Sequence, residues 1–262
     1  MSTPRRLLFG EVAELYDDSR PAYPAALIDD LLAGMPSGER LLEVGAGTGK
    51  ATIMVAERGR RVLAIEPSAG MADVLRRNCA RFAGVQVVQS DFERWDPAGE
   101  TFPLLYCAQA WHWIDPAVRY QRAAAALAPG GVLAVFWNRP AWGRSPLRVE
   151  LARVYAQAVP DLVPDGPLHP ANTNPDGDED WAAEIDNALG FERPELRAYD
   201  FSEAYSADEY IRLLATLSEI RLLGESRRDA LLTGVHDAIE LHGGTLPMPM
   251  RTRLCLARRA GG

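Results

Sequence analysis

The amino-acid sequence predicts an α/β fold, a mostly parallel sheet covered by helices on both faces. Three observations carry this expectation. Between residues 40 and 138, short apolar runs alternate with amphipathic stretches, the pattern of repeated strand-helix-strand units. The runs are nearly continuous in apolar residues, as strands buried on both faces are. Toward the C-terminus, PELRAYDFSEAY and MRTRLCLARR instead alternate apolar and polar residues, as a half-exposed antiparallel pair closing the sheet does.

In chain order, Pro24 opens the helix PAALIDDLLAG, which Gly34 and Pro36 end, so one or two helices precede the first strand. Five strands follow: RLLEVGA, RVLAIE, VQVVQS, FPLLYCAQ and GVLAVFW. Between them lie KATIMVAERG, stopped at Gly59; MADVLRRNCARFAG, stopped at Gly84; and PAVRYQRAAAALAPGG, opened by Pro116 and stopped by Pro129 and two glycines. After Asn138 comes a Pro-, Asp- and Asn-rich stretch around residues 160–180, long enough to read as a lid or insertion. Ser206 and Glu209 then form a capping box for one helix, SADEYIRLLATLSEIRLLG, ended by Gly224. A late helix carries His236 and His242.

Composition narrows the function classes. The 262 residues are 47% hydrophobic and 24% charged, ordinary for a globular protein. No apolar run approaches the roughly 18 residues that span a bilayer, and MSTPRRLLFG is too short in its apolar part for a secretory signal. The expectation is a cytoplasmic protein with no membrane partner. A net charge of −8 and scattered arginines disfavour a nucleic-acid partner. Cys79, Cys107 and Cys255 have no CxxC spacing and read as reduced thiols in or near the core, and His169, His236 and His242 lack metal-ligand spacing, so no metal is expected.

The stretch LLEVGAGTGKAT, between the first strand and its helix, admits three ligands. A phosphate loop, GxxxxGK[ST], would need glycine at Val44 and a hydroxyl at Ala51, and fails at both. A dinucleotide loop, GxGxxG, finds its first two glycines in Gly45 and Gly47, but the third comes one residue early, at Gly49, and Lys50 stands in its place. Glu66, at the end of the second strand, suits a ribose in any adenosine cofactor. A dinucleotide oxidoreductase and a non-catalytic binding protein therefore remain as alternatives.

Glu43 followed by Gly45, Gly47 and Gly49 gives ExGxGxG, which resembles the cofactor motif of class I S-adenosylmethionine-dependent methyltransferases. The resemblance implies a Rossmann-like three-layer sandwich with seven strands. It implies that Glu43 supports the loop, and that Gly45, Ala46, Gly47 and Gly49 let backbone approach the cofactor. Glu66 would bond the ribose, Met71 in PSAGM would lie against the adenine, and Asp91 and Phe92 in QSDFERW would meet its amino group and ring. The cofactor has a sulfonium and no phosphate, so carboxylates for hydroxyls and an amino group suit it.

CAQAWHWIDP and FGEVAELYDDSRPAYP resemble segments of small-molecule methyltransferases near the trans-aconitate and ubiquinone/menaquinone-type methylases. By that resemblance Ala108 and Gln109 belong to the cofactor site, His112 is the candidate general base or acceptor orienter, and Trp111, Trp113, Trp137, Asn138 and Tyr16 line the acceptor pocket. Arg20, one turn from Tyr16, would bind the cofactor carboxylate or an acidic acceptor. The implied organisation is a helical cover over 1–39, a cofactor-binding core over 40–138, a lid over 139–190 and closing strands over 191–262. The implied partner is a small methyl acceptor, and the protein is expected to be a monomer or homodimer.

Overall fold

A computed structural model describes residues 13–163, 166, 168–176 and 180–261, without the side chains of Leu15 and Tyr16. Among them, seven strands form one sheet in the order β3-β2-β1-β4-β5-β7-β6. The strands are β1 (Arg40–Val44), β2 (Arg61–Ile65), β3 (Val85–Val88), β4 (Phe102–Ala108), β5 (Leu127–Pro140), β6 (Glu195–Ser206) and β7 (Thr245–Arg258). The first five pair in parallel, and β7 runs antiparallel between β5 and β6. The chain winds from β1 outward to β3, then returns to β4 on the other side of β1. Open parallel sheets take ligands at such a reversal, beyond the carboxyl ends of the strands.

Side-chain alternation feeds two cores from the same strands. Leu41, Val62, Ala64, Leu104, Tyr106 and Phe136 face a core completed by the helices α2 (Ala25–Leu32), α3 (Lys50–Ala56) and α4 (Ala69–Asn78). Their neighbours Leu42, Leu63, Leu105, Val135 and Trp137 face the other, with Phe92, Trp95, Trp111 and Trp181. The three cysteines are free and buried, and burial pushes the Cys79 and Cys255 thiols up to about 12. A third core joins α6 (Arg148–Ala158), α8 (Ala207–Ala215) and α10 (Glu225–Leu241) to the ends of β6 and β7. Ahead of the sheet lies α1 (Ala13–Ser19); α5 (Arg119–Ala126) and α7 (Trp181–Asp186) complete the longer elements. No helix among the described residues is long and apolar enough to cross a membrane, and no group of three His, Cys, Asp or Glu could hold a metal ion.

Three local expectations need correction. The helix expected over 206–224 breaks after Ala215: the Thr216 hydroxyl donates to the Leu213 carbonyl at 2.6 Å, Leu217 is extended, and a short α9 (Ser218–Arg221) follows. Gly224 stands before α10 instead of closing that helix. Residues 116–118 form a turn, because the Asp115 carboxylate accepts the Ala117 N–H at 2.9 Å, and α5 starts at Arg119. The last strand starts earlier than expected, at Thr245, through Pro247 and Pro249. Pairing to β5 begins only at Met250, so these prolines sit where their missing N–H groups leave no ladder bond unmade on the β5 side.

The capping box on α8 is complete, with the Glu209 N–H donating to the Ser206 hydroxyl and the Ser206 N–H donating to the Glu209 carboxylate. Ser206→Ala should therefore cost about 1 kcal/mol of stability. It should appear as a lower urea midpoint with an unchanged denaturant slope.

Candidate functional site

The site is built outward from the end of β1. Gly45 has φ +69° and a Cβ there would stand 2.4 Å from the Ala110 Cβ, so only glycine lets this loop lie against the loop after β4. Glu43 is buried, and its Oε2 accepts the Thr52 hydroxyl of α3 at 2.5 Å and the Tyr106 hydroxyl of β4 at 2.9 Å. Glu66 ends β2: its Oε2 accepts the Gly47 N–H and its Oε1 the Ser68 N–H, both at 2.8 Å. Burial raises its carboxyl above the ordinary range, and the two backbone donors oppose the rise.

These loops enclose a cleft of about 1100 Å³ at the carboxyl ends of the parallel strands. Glu43, Gly45, Ala46, Gly47, Glu66, Met71, Asp91, Phe92, Ala108 and Gln109 all line it, with Arg20 at one side. Gly49 does not; at φ +98° it makes room for Leu75 of α4, whose Cδ1 lies 2.5 Å from where its Cβ would be. Gln109 is held at φ +62°, a left-handed backbone that a non-glycine residue adopts at a cost, as residues at binding sites often do.

A second cavity, about 430 Å³, adjoins the cleft and shares Arg20, Pro21 and Gln109 with it. Asn138 lines this cavity. Its side chain also donates to the Ala22 carbonyl at 3.0 Å and accepts the Thr252 hydroxyl at 2.6 Å, tying the segment that carries Arg20 to the sheet.

The residues expected at the acceptor divide three ways. Trp113 lines the cleft. Trp111 and Trp137 line neither cavity: Trp111 is fully buried with Nε1 donating to the Tyr120 hydroxyl, and Trp137 packs edge-on against Trp181 at 4.0 Å under the Arg253 guanidinium. Strand parity turns Trp137 to the face opposite Phe136, into the core. The side chain of Tyr16 lies outside the described residues. His112 is exposed on the single turn Trp111–Trp113, its ring 4.7 Å from that of Trp113, and lines neither cavity.

Sequence reasoning missed several residues. Lys50 is half-buried; it lines the cleft, and so do Tyr23, Glu93 and Ile114. Leu168, Tyr205, Leu213, Met248 and Met250 line the second cavity. The alternation of Leu246, Met248 and Met250 was the available signal, interrupted to the eye by the prolines between them.

The fold is shared with solved methyltransferase structures. Residues 41–131 match the family described as methyltransferase domain. An uncharacterized methyltransferase of Mycobacterium tuberculosis is 38% identical over 132 residues, 50% of this chain and 52% of that one. A trans-aconitate 2-methyltransferase of Paracidovorax citrulli is 34% identical over 53% of this chain and 52% of that one. The chain thus matches about half the length of these relatives. Among solved structures, a proposed type II methyltransferase from Anaeromyxobacter dehalogenans has a TM-score of 0.63 at 20% identity, covering 92% of this chain and 97% of that one. Phosphoethanolamine N-methyltransferase 2 of Haemonchus contortus, in complex with S-adenosyl-L-methionine, has a TM-score of 0.56 at 15% identity, covering 99% and 61%.

Burial pushes the Glu43 carboxyl from 4.5 up to about 8, against the pull of its two hydroxyl donors. The folded protein therefore keeps a proton that the unfolded chain gives up from about pH 4.5, so stability falls as pH rises through that window and levels above about 8. Glu43→Gln keeps an oxygen for both donors and has no proton to lose. Between pH 5 and 8 the unmodified protein should lose roughly 5 °C more in Tm than the variant does.

Proposed function

We propose that the protein transfers a methyl group from S-adenosylmethionine to a small-molecule acceptor. One observation carries the reading: a glycine loop and two carboxylates, Glu66 and Asp91, border a single cleft at the carboxyl ends of successive parallel strands. Glu66 spends one contact per oxygen on backbone N–H groups and still borders the cleft, so lone pairs are left for ribose hydroxyls. Asp91 suits the adenine amino group, with Met71 and Phe92 as apolar walls. Lys50 and Arg20 are the cations at the cleft that suit the carboxylate of the amino-acid moiety.

The bound cofactor supplies a methyl carbon already activated by its sulfonium. The chain's own part is to align an acceptor in line with that carbon and to exclude water. Gln109, common to both cavities, stands where the two bound molecules would meet. His112, exposed and away from both walls, is given no part as base in this reading. The names of relatives specify acceptors as different as trans-aconitate and phosphoethanolamine, so they support the reaction class without choosing an acceptor.

Calorimetry with S-adenosylhomocysteine tests the cofactor. Binding at micromolar concentrations is expected, with at least a tenfold loss in Glu66→Ala; absence of heat up to millimolar ligand, or heat with NADH instead, would refute the reading. His112→Ala should keep turnover within threefold, and a loss of more than tenfold would restore the imidazole to the chemistry.

A further inference from the structure

Two arginines of α5 grip, from behind, the loops that wall the cleft. Arg119 and Arg122 stand one helical turn apart, so their side chains leave the same side of the helix. Neither lines the cleft. The Arg122 Nε donates to the Phe92 carbonyl at 2.8 Å and its Nη2 donates to the Trp95 carbonyl, while the guanidinium carbon lies 5.8 Å from the centre of the Phe92 ring. Arg119 is buried, and its Nη1 donates to the Trp111 carbonyl at 3.2 Å. Its Nη2 donates to the Glu184 carboxylate of α7, which also accepts the Tyr120 hydroxyl at 2.8 Å.

The carbonyls held in this way belong to loop backbone. The loop after β3 carries Asp91, Phe92 and Glu93 to the cleft, and the turn after β4 carries Ala110, Trp113 and Ile114 to it. Inside a helix or strand such carbonyls would be satisfied by backbone N–H groups; here cations satisfy them, and a charged donor makes the stronger bond. The two loops are also joined to each other, since the Asp115 N–H donates to the Glu93 carboxylate at 3.2 Å. Glu184 supplies the counter-charge that makes the buried Arg119 tolerable.

Resting on the reading that the cleft holds S-adenosylmethionine, we propose that Arg119 and Arg122 are positioning residues for the nucleoside end of that cofactor. Arg122 fixes the backbone that presents Asp91 and Phe92 to the adenine, and Arg119 fixes the adjoining turn that presents Trp113 and Ile114. Both act through loop carbonyls, without touching the cofactor. Their contribution is preorganisation: a wall already in place binds more tightly than one that must be ordered. The amino-acid end of the cofactor, assigned to Lys50 and Arg20, lies outside their reach, so their loss should be felt by the nucleoside alone.

The test is calorimetry with S-adenosylhomocysteine and with 5′-methylthioadenosine, which lacks the amino-acid moiety. Arg122→Gln should weaken both ligands about tenfold and by the same factor, whereas Lys50→Ala should weaken S-adenosylhomocysteine alone. Arg122→Lys keeps the charge without the fork that spans two carbonyls, and should stay about threefold weaker than the unmodified protein. Partial unfolding would lower the binding stoichiometry; a displaced wall lowers affinity at unchanged stoichiometry. The double variant Arg119→Met, Glu184→Leu replaces the ion pair by apolar groups, which should hold Tm within about 5 °C. It leaves the Trp111 carbonyl without its donor, so both ligands should still weaken about fivefold. Unchanged affinity in either Arg122→Gln or the double variant, with the protein folded, overturns the proposal and leaves the methyltransferase reading standing, as does a loss confined to S-adenosylhomocysteine. If the unmodified protein binds neither ligand, the cofactor reading falls and this proposal with it.

Discussion

The cleft depends on a carboxyl group held away from water. Glu43 ends the apolar run of β1, and its one oxygen takes hydroxyl bonds from α3 and from β4. A lone buried carboxyl would be costly, and two donors make this one tolerable. Three elements are thereby fixed around the start of the glycine loop, and the loop's close approach to Ala110 follows from that fixing. Glu66 repeats the device one strand over, through backbone donors in place of hydroxyls. The walls of the cleft are thus joined by carboxyl groups before any ligand arrives, which lowers the ordering cost of binding.

Much of this was legible because the signals are local. Five strands announce themselves as apolar runs, and the acid-glycine stretch at the end of the first one marks a wall of the cleft. Glu66 directly follows β2, Met71 lies in the first turn of the helix after it and Asp91 lies three residues past β3, so finding the strands leads close to each. The second cavity was not legible, because it is assembled from places far apart in the chain: Arg20, Asn138, Leu168, Tyr205 and Met248. No spacing encodes such a set. Trp111 and Trp137 were drawn toward the acceptor by their size and by neighbours that do line cavities; the pleat of β5 decides the face of Trp137, and the short turn after β4 points Trp111 into the core.

The same reasoning explains the helix that broke. A capping box shows where a helix starts, and nothing as strong marked its end. Thr216 ended it through a hydroxyl bond to the turn before, a competition between side chain and backbone that helix propensity underrates. The break turns α9 toward Tyr155 and His169 and so helps to shape the wall beyond Leu168.

Pro247 and Pro249 flank Met248, which lines the second cavity. Where β5 stops at Pro140 and the chain turns off through Ala141, β7 runs on, paired to β6 alone. A strand edge left like this ordinarily invites another strand to add to it. Here the backbone offers a carbonyl, which the Ala141 N–H takes from Pro249, but at these two positions it has no hydrogen to give. The gap in the sheet therefore resists being zipped shut by neighbouring backbone, and side chains such as Met248 and Met250 are left to line a hollow where a sheet would otherwise close.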